Sequence, residues 1–131
     1  MVSLLPVVLL VVLSVQVVSP RDKASRTPAQ QKLSSQLLTA MQRARESPNG
    51  AKPSFDDLLV RVDPKQRALV DVRAAVTAEM KRQLARLGST IVSTSIAADS
   101  LIAWVPLLKL EQLAELASVR AIQPAAEATH K

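Results

Sequence analysis

One histidine, His130, no cysteine and two glycines, Gly50 and Gly88, bound the chemistry open to this 131-residue chain. Thiolate metal sites need cysteine, and nucleotide phosphates are cradled by glycine-rich loops, so the sequence predicts no metal and no cofactor. A serine nucleophile needs an imidazole held by a carboxylate, and His130, in a terminal tail, has no such constellation about it. No enzymatic activity is therefore expected. What remains is recognition by contact. The aromatic share is 2%, with Phe55 and Trp104 as its members, so a single tryptophan is the strongest candidate anchor.

The elements that must position Trp104 lie between Ala68 and Pro124. Val70, Val72, Ala74 and Val76 alternate with Leu69, Asp71, Arg73 and Ala75, the period of a strand with one face buried. Thr77 is an N-cap, Glu79 favours the first helical turn, and Met80, Leu84 and Leu87 line one helical face before Gly88 ends it. Thr90 to Ile96 reads as a second strand, Ala97 to Ser100 as a turn, and Leu101 to Val105 as a third strand. Pro106 opens a second helix with a stripe of Leu110, Leu113, Ala114 and Ala117. Val119 to Gln123 is the last strand, stopped by Pro124.

The order strand, helix, strand, strand, helix, strand predicts an α+β domain of the ferredoxin-like, split β-α-β type, an antiparallel sheet with two helices on one face. Alternation sets Ile102 and Trp104 opposite Leu101, Ala103 and Val105. If the latter face the helices, Ile102 and Trp104 project from the open face as a protein-binding surface. The alternative is that the preceding helix folds under the sheet and covers them.

Before that domain, Val2 to Val18 is a near-continuous apolar run with no Lys or Arg ahead of it. Residues 1–19 are read as a signal peptide or a membrane anchor, which predicts an exported protein, secreted or periplasmic, touching a membrane only through this segment. Residues 20–67 form a basic linker. Arg21, Lys23, Arg26, Lys32, Arg43, Arg45, Lys52, Arg61, Lys65 and Arg67 carry much of a net charge of +6, scattered as on a solvated arm. Thr27 and Pro28 start one amphipathic helix, about 28–46, whose stripe of Leu33, Leu37, Leu38 and Met41 suits packing back on the domain. Ser47 to Pro53 breaks the chain, Phe55 to Val62 is a short strand or irregular lead-in, and Asp63-Pro64 is a turn.

Four stretches carry a family resemblance: KLSSQLLTAMQRAR (32–45), LVDVRAAVT (69–77), RLGSTIVSTS (86–95) and SLIAWVPLLKLEQLAELASVRAIQPA (100–125). Together they resemble the propeptide-like N-terminal region of bacterial subtilisin-like serine proteases. The resemblance implies an inhibitor-type propeptide that packs its open sheet face on the catalytic domain and lays its C-terminal tail in the substrate cleft. On that footing Ile102 and Trp104 would dock on the protease. Pro124, at the end of the domain, and Glu127, His130 and Lys131 of the extended tail 125–131 would enter the cleft, with Lys131 at the primary specificity pocket. No Asp, His and Ser motifs of a catalytic domain follow in this chain, which reads as a free-standing inhibitor or folding chaperone, or the remnant of a truncated protease gene.

The partner expected is thus a subtilisin-like serine protease. An exported domain that binds some other protein through its open sheet is the alternative. Nucleic acid is not expected, because RNA-recognition domains stack bases on central-strand aromatics and here Trp104 stands alone.

Overall fold

A computed structural model describes residues 25–47 and 52–125. The apolar segment 2–18 and the tail residues Glu127, His130 and Lys131 lie outside the described residues.

The architecture is α+β. Four strands, β1 (Arg67–Ala74), β2 (Thr90–Ser95), β3 (Ser100–Pro106) and β4 (Val119–Pro124), form one sheet in the order β2-β3-β1-β4. Every neighbouring pair is antiparallel. Among the described residues four helices accompany them: α1 (Pro28–Lys32), α2 (Ser35–Glu46), α3 (Ala78–Arg86) and α4 (Leu110–Ala114).

The pleat divides the residues as alternation requires. Val70 and Val72 of β1, Leu101, Ala103 and Val105 of β3, and Ile122 of β4 are buried in one cluster with Met80 and Leu84 of α3 and Leu110, Leu113 and Ala114 of α4. Burying each large aliphatic side chain contributes about 1.5–3 kcal/mol, and this cluster is the main source of cohesion in a chain almost without aromatic residues.

Local chemistry sets the ends of α3. The Thr77 hydroxyl accepts from Met80 N–H at 3.0 Å, and Gly88 turns the chain at φ +84°, where its N–H donates to the Ala85 carbonyl. A side chain at Gly88 would meet nothing closer than Pro106 Cγ at 3.6 Å, so it is the backbone angle that asks for glycine.

Three expectations change. The single helix read over about 28–46 is two helices. Leu33 is extended and bridges Ile122, the Ser34 N–H donates to the Ile122 carbonyl at 3.1 Å, and Ser34 caps α2 by accepting from Leu37 N–H. The edge of β4 captures the chain, and a fresh capping serine restarts the helix. The helix read from Pro106 to Ala117 begins as a 3₁₀ turn, Leu107–Lys109, and ends at Ala114, so buried Leu107 takes a core place while Ala117 is exposed. Val76 follows β1 rather than extending it, half-buried against the core.

The helices α1 and α2 do not cover the open face. Leu37, Ala40 and Met41 of α2 belong to the same buried cluster as Val70 and Val72, which sets α2 in the helix layer. The connection from α2 back to the sheet passes through a 3₁₀ turn, Asp56–Leu58, and a bridge between Val62 and Ala68.

Candidate protein-binding surface

The face of the sheet away from the helices is laid out in rows by the strand register. Thr90, Trp104 and Leu69 form one row, and Ser93, Ile102, Asp71 and Gln123 the next. Ile102 and Trp104 are thus brought together, two residues apart on β3, both half-buried between buried neighbours that point the other way.

Leu69 is only 8% exposed although it faces away from the core. Its cover is the strap that precedes β1. The Leu69 N–H donates to the Arg61 carbonyl at 2.9 Å, and the Asp63 N–H donates to the Arg67 carbonyl at 2.9 Å. Arg61 then carries its guanidinium over Trp104, with Cζ 6.0 Å from the ring centroid. Asp56 and residues 59–64 line a cleft of about 780 Å3 together with Trp104 and Ala125.

The strap is held by charge at both ends. The Asp63 carboxylate accepts from the backbone N–H groups of Lys65 (3.0 Å) and Arg67 (2.8 Å) and from Arg67 Nε (2.7 Å). Burial pushes this carboxyl up, but the Arg67 backbone and guanidinium donors with Lys65 outweigh it and hold it below the ordinary value. Upstream, Arg43 of α2 grips Asp57 with both terminal nitrogens, at 2.6 and 2.7 Å. The Arg43 hydrogen bonds lower the Asp57 carboxyl and raise the guanidinium in turn.

At the centre of the face lies Asp71, its side chain 16% exposed. One carboxylate oxygen is 3.1 Å from an Arg73 nitrogen; the other is buried and meets no hydrogen-bond donor among the described residues. A buried acceptor without a donor is costly.

Of the expected tail residues, Pro124 is described. It ends β4 opposite Val70, half-buried, and the next residue, Ala125, is pinned by its N–H to the Leu69 carbonyl at 3.0 Å. Ala125 therefore lies at the Trp104 cleft. Sequence reasoning overlooked Leu69, Asp71 and Arg61. The first two were accessible to it, since they alternate with Val70 and Val72; Arg61 joins through a strap that no periodicity announces.

Among the described residues no group of three or more His, Cys, Asp or Glu is placed to hold a metal ion, and no helix is long and apolar enough to cross a membrane. Comparison with protein-family models, with curated proteins and with solved structures finds no match to this chain.

Proposed function

We propose that this chain is a non-catalytic binding module of the ferredoxin-like, split β-α-β type that engages a subtilisin-like serine protease, as an inhibitor or a folding chaperone. The strand order β2-β3-β1-β4, antiparallel throughout, supports that fold reading. The function rests chiefly on one observation: among the described residues, Trp104 and Ile102 stand on the sheet face that no helix covers. Such a face favours a protein partner that offers apolar surface.

Binding there supplies affinity, not chemistry. The sheet face docks, and the chain beyond Ala125 is carried from the end of β4 toward the partner's cleft, where an extended segment pairs its backbone as a substrate does. The residues that resemble the propeptide region carry the choice of a subtilisin-like protease over other protein partners.

The deciding experiment is titration of the full chain against subtilisin-like proteases while following hydrolysis of a peptide substrate. Inhibition that weakens about tenfold or more in Trp104→Ala and on removal of residues 126–131 is the expected result. A folded, uncleaved chain that leaves every such protease at full activity would overturn the proposal.

A further inference from the structure

Leu59 violates two preferences at once. It closes the Asp56–Leu58 turn in the left-handed region, φ 57° and ψ 30°, and it is 78% exposed. The turn itself asks for a left-handed residue, because Leu59 N–H reaches back to the Asp56 carbonyl at 3.4 Å. Glycine or asparagine meets that demand at lower cost, since a Cβ and a branched side chain crowd the backbone there. The fold thus requires the angle, and nothing in it requires leucine. A strained backbone carrying an exposed large apolar side chain is the pattern of a binding residue.

We propose that Leu59 is a second apolar anchor of the docking surface, and that the cleft it forms with Trp104 receives an apolar side chain of the protease; this assignment rests on the function proposed above. Leu59, Val60 and Val62 line the cleft together with Trp104 and Ala125, so it adjoins the open sheet face at Trp104. Of its charged lining residues Asp63 is paired with Arg67 at 2.7 Å, Arg61 lies over the Trp104 ring and Asp56 is exposed, so it is the exposed Leu59 side chain that favours an apolar occupant. The Arg43–Asp57 fork and the Leu69–Arg61 backbone bond fix the strap before any partner arrives, so little ordering is needed on binding.

The test uses the full chain and a subtilisin-like protease whose peptide hydrolysis the wild type inhibits. Leu59→Asn and Leu59→Gly both tolerate the left-handed angle, one with a side chain and one without. Both are expected to melt at or above the wild-type temperature while the inhibition constant rises about tenfold or more, the loss appropriate to one buried leucine. Unchanged inhibition in folded variants overturns the anchor role alone. A clear fall in melting temperature in both variants makes Leu59 a structural residue and overturns it equally. A wild-type chain that inhibits no such protease overturns the function reading, and the anchor with it.

Discussion

Arg61 carries its guanidinium over the ring of Trp104, Cζ lying 6.0 Å from the centroid, and so joins the strap before β1 to the third strand across the open face. Contacts of this kind at partly exposed sites contribute about 0.5–1 kcal/mol. The tryptophan is the chain's only one, so its fluorescence reports this contact without interference. Arg61→Ala is expected to shift Trp104 emission to longer wavelength and to increase acrylamide quenching, with a small stability loss. Identical emission and quenching would mean that the contact does not persist in solution.

The two faces of β3 and its neighbours should respond differently to truncation. Leu113 is fully buried beneath the sheet, and Leu113→Ala is expected to cost about 2–5 kcal/mol through lost burial and a residual cavity. Ile102 is half-buried on the other face, and Ile102→Thr, which keeps the β-branch, should cost about 1 kcal/mol or less. Urea midpoints of the two variants measure this. Equal losses would show that the open face is packed as tightly as the core.

Asp63 makes stability depend on acid. Its folded pKa lies below the unfolded value of about 3.9, so between the two the unfolded chain binds more protons. The contribution is therefore complete above the unfolded value and is lost as pH falls through the folded one. Asp63→Asn should lower stability at neutral pH by about 1–2 kcal/mol and flatten its decline below about pH 4. Denaturant midpoints of wild type and variant measured across that range are the check, and curves that remain parallel would exclude Asp63 as the titrating group.

The arm is part of what holds the domain together. Leu33, Leu37 and Met41 are buried at 3% exposure or less, and each contributes about 1.5–3 kcal/mol by burial. Their sum is comparable with the whole stability of a small domain, about 5–15 kcal/mol. A chain beginning at Lys52 should therefore be largely unfolded by circular dichroism, whereas the full chain melts cooperatively. A shortened chain melting cooperatively near the full-chain temperature would contradict this.

Much of the local order could be read directly from residue types. Alternation marks β1 and β3, Thr77 and Gly88 bracket α3, and the pleat sets Ile102 and Trp104 on the face opposite Leu101, Ala103 and Val105, as the register has them. These features depend on period and on capping groups a few residues apart, so the chain states them without knowing its fold. Long-range competition settled the rest. Leu33 reads as helical until the edge of β4 claims its neighbourhood, and the Leu107–Lys109 turn tightens where Leu107 N–H donates to the Gln66 carbonyl at 3.0 Å. The strap of Arg61 and Leu59 over the tryptophan side of the sheet has no periodic signature at all. Its place follows from backbone bonds to β1, from the Asp63–Arg67 pair and from Arg43 on a distant helix, partners that meet only when the sheet and helix layer have already assembled.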